Sequence, residues 1–236
     1  MKINITRRHL EVFITESATR SQARKKEWCF YGNINVFIKD PLPDYINLSL
    51  CLDRIERTIP SHLVYGLDGL FIGQFPEFEE RHINAFYRDG AIYITNDQND
   101  DEDFIDDIVH ELAHLVENTY GAEIYEDQKI SREFLGKRQR LFHMLRAEGY
   151  DVEPRDFMET EYSEEFDMFL FKTVGYDVLT QLTQGLFLSP YGVTSLAEYF
   201  AESFEQYFVK GRPEVREISP LCYQKINLLM ELSNEQ

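Results

Sequence analysis

Ile108-Val109-His110-Glu111-Leu112-Ala113-His114-Leu115-Val116-Glu117 sets two histidines four residues apart, with a glutamate directly after the first. On a helix, residues at that spacing stand one above the other with Cβ atoms roughly 5–6 Å apart. Both imidazoles can then address one metal ion. Zinc suits the pair, since it accepts nitrogen at about 2.0–2.1 Å and prefers four ligands. Glu111 falls on the flank of the same face, within reach of a metal-activated water as general base. Ile105, Ile108, Val109, Leu112, Leu115 and Val116 gather on the opposite side, the stripe that a core would cover. A core role for the histidines is thereby disfavoured. The competing reading is a solvated polar face shared with Asp103, Asp106, Asp107 and Glu117.

The chain of 236 residues is long enough to bury a substantial core, and 43% of it is hydrophobic. Its 24 basic and 42 acidic residues give a formal charge of −18, which opposes a phosphate backbone or an anionic membrane surface. Nucleic acid and membrane are excluded as expected partners. No apolar run reaches the length of a bilayer span, and the N-terminal Met1 to His9 lacks the uninterrupted apolar segment of a signal peptide. The expected location is the cytoplasm, or wherever another delivery machine takes the protein. Cys29, Cys51 and Cys222 are odd in number and form no CxxC pair. They read as free thiols and small buried side chains.

Residues 1–27 carry Arg7, Arg8, Arg20, Arg24, Lys25 and Lys26 around a short apolar patch, Leu10 to Ile14, and predict a loosely docked helix or arm. The β-branched and aromatic run Cys29 to Ile38 predicts one strand, stopped by Pro41 and Pro43. Asp44 to Thr58 has Ile46, Leu50 and Ile55 at helical spacing, with Leu48 and Leu52 beside them, and Pro60 ends it. Gly69 to Gly73 and Gly90 to Thr95 predict two further strands, the second after the turn pair Asp89-Gly90. That second strand leads into the His110 helix and is a candidate edge on which an extended peptide could be added; an ordinary sheet strand is the alternative. Between Asp97 and Asp107 seven of eleven residues are acidic, favourable at the positive end of the following helix. A calcium site is the lesser reading, because the order of an EF-hand loop is absent. Asp127 to Ala147 predicts a helix with Ile130, Phe134, Leu141, Phe142 and Leu145 on its apolar side, and its Lys129, Arg132, Lys137, Arg138, Arg140 and Arg146 make it the most basic part of an acidic chain, read as charge balance within the fold. A helical pair follows near Ser163–Lys172 and Tyr176–Phe187.

Two histidines leave a catalytic zinc one protein ligand short if the fourth position is kept for water. A histidine six residues beyond His114 would complete one known arrangement, but Tyr120 stands there. A carboxylate from a second helix is the other solution. Ser195 to Phe208 is the best candidate, with Leu196, Phe200, Phe204 and Tyr207 on one stripe and Glu198, Glu202 and Glu205 roughly opposite. Glu198 and Glu202 are four apart, so one can ligate while the other hydrogen-bonds to a ligating histidine. An exposed face, with Ser195 and Glu198 as a capping box, is the alternative.

Tyr191-Gly192-Val193-Thr194-Ser195-Leu196-Ala197-Glu198-Tyr199-Phe200-Ala201-Glu202-Ser203-Phe204 resembles the second motif of the anthrax lethal-factor-like metallopeptidases, which include the Pro-Pro endopeptidases. Those proteins carry HExxH, a Tyr-Gly pair, and a zinc-binding glutamate seven residues after that tyrosine. The resemblance covers about a quarter of the chain. It implies that His110, His114 and Glu198 bind Zn2+, that Glu111 is the base, that Tyr191 donates to the developing oxyanion, and that Glu202 lies in the layer behind the ligands. The stretch from His114 to Glu198 is longer than is usual in that family, with the basic helix filling much of the excess.

The expected fold is therefore α+β and zincin-like, with a small mixed sheet, an active-site helix and a mainly helical C-terminal lobe. An N-terminal lobe over 1–99 and the helical remainder over 100–236 would form one continuous catalytic domain. The expected activity is that of a zinc metalloendopeptidase acting on a peptide or protein substrate. The alternative is a catalytically silent zincin-fold structural or binding protein, for example a component of a larger particle.

Overall fold

Among the described residues, five short strands form the sheet against which the His110 helix rests. The computed structural model describes residues 28–81 and 83–232; the arm expected over residues 1–27 lies outside them. Strand β1 (Trp28–Phe30) turns back through Tyr31-Gly32-Asn33 onto β2 (Ile34–Ile38) as an antiparallel pair. The single strand expected from Cys29 to Ile38 is thus a hairpin. Tyr31 and Gly32 take φ of 49° and 74°, a left-handed pair that reverses the chain and that glycine adopts at little cost.

Helix α1 (Leu48–Thr58) starts where the Asn47 side chain accepts from the Leu50 N–H, and it buries Leu48, Cys51, Leu52 and Ile55. It begins later than the apolar spacing suggests, and Leu50 is 56% exposed rather than inward. Pro60 ends it, as expected. Strand β3 (Gly69–Ile72), helix α2 (Pro76–Arg81), strand β4 (Ala85–Arg88) and strand β5 (Ala91–Ile94) complete the sheet, in the order β1-β2-β3-β5-β4. β2, β3 and β5 run parallel, while β1 and β4 lie antiparallel at the two edges. The parallel step from β2 to β3 needs a crossover, which α1 supplies. β5 is therefore enclosed by β3 and β4, and the edge role considered for it passes to β4, which sequence reading missed.

Alternation divides the sheet. Leu70, Ile72, Ile92 and Ile94 enter the core, while Phe37, Phe71, Tyr93 and Phe86 stack across four strands on the other face, with neighbouring ring centroids 4.8, 5.0 and 4.7 Å apart. Such cross-strand aromatic pairs contribute about 0.2–1 kcal/mol each and fix the register.

The long helix α3 (Asp101–Tyr125) packs against β4, β5 and α1. It is followed by α4 (Lys129–Ala147), α5 (Glu164–Met168) with a π-helical turn over Phe169–Val174, α6 (Tyr176–Thr183), α7 (Leu196–Val209), α8 (Arg212–Ile218) and α9 (Pro220–Glu231). The helix expected over Ser163–Lys172 is thus a short α-helix that widens into the π turn. The fold is α+β, and residues of the sheet and of the later helices share one buried core. Among the described residues no helix is long and apolar enough to cross a membrane.

The basic helix α4 is inward-facing as expected at Ile130, Phe134, Leu141, Phe142 and Leu145, but Lys137 and Arg138 are buried with them. Arg138 donates to the carbonyls of Glu159 and Asp156 and lies 4.2 Å from the Phe166 ring centre, so its charge is met by dipoles and ring faces rather than by an ion pair. Cys51 and Cys222 are buried thiols, whereas Cys29 is exposed, on the outward side of its edge strand.

Candidate metal centre

α3 begins at Asp100, whose carboxylate accepts from the Asp103 N–H, with Asp101, Glu102 and Asp103 in the first turn. The acidic run thus caps the helix and complements its dipole. Ile105, Ile108, Val109, Leu112, Leu115 and Val116 are all buried, which fixes the rotation of the helix. His110 and His114 consequently point toward α7.

α7 is seated by the same logic. The Ser195 hydroxyl accepts from the Glu198 N–H at 3.1 Å, and Phe200, Phe204 and Tyr207 are buried. Glu198, Glu202 and Glu205 are left on the face toward α3. Glu198 Oε2 lies 3.0 Å from His110 Nε2, and Glu198 Oε1 lies 3.7 Å from His114 Nε2. Tetrahedral zinc with bonds of about 2.0–2.1 Å requires ligand atoms about 3.3 Å apart. The observed separations bracket that value, and one ligand atom from each of the three side chains falls within 4.8 Å of the others. Two imidazole nitrogens and a carboxylate are a donor set that suits zinc, so the residues fit the ion.

The opposite nitrogens are also engaged. His110 Nδ1 pairs with Glu205 Oε2 at 3.3 Å, and His114 Nδ1 pairs with Glu117 Oε2 at 3.0 Å. Glu117 in turn accepts from the Tyr125 hydroxyl, while Glu205 Oε1 lies 2.8 Å from Lys210 Nζ, which also reaches Asp106 Oδ2 at 2.9 Å. A carboxylate behind each histidine fixes its tautomer and ring orientation. Sequence reading offered Glu202 as that partner; the structure gives the hydrogen bond to Glu205 instead. Glu202 stands beside it, hydrogen-bonded with Ser189, its carboxyl pushed up to about 7 by burial and then by the Glu205 charge.

Glu111 is only 7% exposed. Burial raises its pKa, the two histidines pull it back, and the Tyr87 N–H of β4 donates to it. The base candidate therefore sits between the histidines and β4, an edge strand of the sheet among the described residues. Tyr191 lies in a short 3-10 turn, Tyr191–Val193, held by the Ser189 hydroxyl, which accepts from the N–H groups of Tyr191 and Gly192. Its phenol hydrogen-bonds to Glu198, and its ring centre is 6.3 Å from that of His110. Burial, then the Glu198 charge, pushes the phenol well up, so it stays a proton donor. Burial opposes the charged form of both histidines, but their carboxylate partners outweigh it and raise both pKa values.

All six residues singled out from sequence, His110, Glu111, His114, Tyr191, Glu198 and Glu202, are thus brought together. Glu117, Glu205, Lys210 and the Tyr87 backbone complete the cluster. Comparisons with protein-family models, curated proteins and solved structures return no match.

Proposed function

We propose that the chain is a zinc-dependent endopeptidase of zincin-like architecture. The observation that carries this reading is the paired arrangement of His110 and His114: both Nε2 atoms face Glu198 and both Nδ1 atoms are tied to carboxylates. An exposed polar face has no reason to order two imidazoles and three carboxylates in this way. His110, His114 and Glu198 would hold the ion, which supplies Lewis acidity toward a peptide carbonyl and brings the pKa of water down toward about 7.

Glu111 is buried, acceptor-only when ionised, and adjacent to the histidines. It takes the proton of the attacking water and returns it to the leaving amine. Tyr191 remains protonated and donates a hydrogen bond to the oxygen on which negative charge develops. β4 is the edge nearest to Glu111, and among the described residues no strand pairs with its outer side. An extended peptide added there would run beside the base.

Incubation of the purified protein with a peptide pool tests this. Cleavage that a chelator abolishes and added zinc restores is the expected outcome. Bound zinc without cleavage of any peptide would instead assign the fold a structural or binding role.

A further inference from the structure

His110 belongs to two groupings that could hold a metal ion. One is His110, His114 and Glu198; the other is His110, Glu202 and Glu205, again with one ligand atom from each within 4.8 Å. Asp106 stands one helical turn before His110 on α3, outside this grouping, and shares Lys210 with Glu205. Two carboxylates and an imidazole nitrogen form a donor set that a divalent transition-metal ion such as zinc takes. A second ion there would draw on His110 Nδ1 and remove the hydrogen bond that orients the imidazole.

One member of that grouping is already engaged by a cation. Lys210, at the C-terminal end of α7, reaches across to α3 and sets its ammonium between Asp106 Oδ2, at 2.9 Å, and Glu205 Oε1, at 2.8 Å. The same carboxylate keeps its other oxygen, Oε2, for His110 Nδ1. We propose that Lys210 is a built-in cation that competes with a second metal ion for Glu205, and so keeps the centre mononuclear and Glu205 behind His110. The inference rests on the metal-binding reading of His110, His114 and Glu198. A lysine at a helix C-terminus also interacts favourably with the helix dipole, but that contribution alone would leave metal stoichiometry untouched.

The test counts bound zinc per chain after the full-length protein is stripped with chelator, reloaded and freed of excess ion. Wild type and Lys210→Arg are expected to hold one equivalent. Lys210→Met and Lys210→Gln lose the ammonium and are expected to hold a second, weaker one, with more protons released per chain. Adding Glu205→Gln to Lys210→Met removes a carboxylate and returns the count to one. Thermal melting of the metal-free variants checks folding, and having two neutral variants guards against one that fails to fold. One equivalent in both neutral variants, or two in wild type, overturns the role of Lys210 while leaving the primary centre standing. No zinc in wild type overturns the primary centre and this inference together.

Discussion

His114 Nδ1 lies 3.0 Å from Glu117 Oε2, one turn along the same helix. The contact turns the other nitrogen, Nε2, toward Glu198. Glu205 does the same for His110 from a different helix, so each imidazole is aimed before any ion arrives. Replacing either carboxylate by its amide keeps the shape and removes the charge. Glu117→Gln and Glu205→Gln are each expected to weaken zinc binding roughly 10–100-fold. Competition with a chromophoric chelator measures this, and the coordination of a cobalt-substituted sample should stay the same.

The pH dependence follows from the proton inventory of the metal-free centre. His110 is raised well above its ordinary 6.5, burial opposing and Glu198 and Glu205 outweighing it. The stability it contributes is fully present below 6.5 and is lost as pH rises through the raised value. Glu202 acts in the same direction: its carboxyl, raised from 4.5 to about 7 by burial, holds a proton in the folded state that the unfolded state lacks in that window. Metal-free protein should therefore melt at progressively lower temperature as pH rises through these values. Zinc must displace the protons of the ligating histidines, so the stabilisation it adds should grow as pH rises through their raised values. Melting curves with and without zinc across pH check both slopes, and calorimetry in buffers of different ionisation enthalpy counts the protons.

The site depends on how α7 is seated. Phe204 is fully buried on the side of α7 away from the three glutamates, with ring contacts to Phe200 and Phe208. Phe204→Ala is expected to cost about 3–5 kcal/mol of stability through the cavity it leaves. Denaturant unfolding gives the value.

Sequence patterning reached the helices that carry the site because both are strongly amphipathic: the stripe from Ile105 to Val116 and the run from Ser195 to Tyr207 need only one rotation to bury them. The sheet was harder. β4 is four residues, Ala85-Phe86-Tyr87-Arg88, too short for alternation to stand out, although Asp89-Gly90 marked the turn that joins it to β5. Tyr31-Gly32 was hidden inside an otherwise continuous β-branched and aromatic run. Glu117 and Glu205 sat on recognised polar faces, but spacing along one helix cannot say which carboxylate meets an imidazole on another. The π turn at Phe169–Val174 has no periodic signature that separates it from an α-helix.

Tyr191 is a donor that spacing alone could not assign a direction. Its place beside Glu198 and His110 predicts that Tyr191→Phe keeps zinc affinity and lowers kcat by roughly 10²–10³-fold, the usual consequence of removing one oxyanion donor. Steady-state kinetics on one cleaved peptide, beside a zinc titration, separates the two effects.

The most direct measurement compares zinc-loaded wild type with zinc-loaded Glu111→Gln on the same peptide library, with cleavage products read by mass spectrometry. Glu111 is buried beside the histidines, and an amide keeps the shape of its carboxylate while removing the basic oxygen. The amide should therefore bind one zinc per chain as wild type does and release no products, while wild type cleaves. Wild-type rates from Glu111→Gln, or a zinc-loaded wild type that cleaves nothing, would contradict the proposed peptidase.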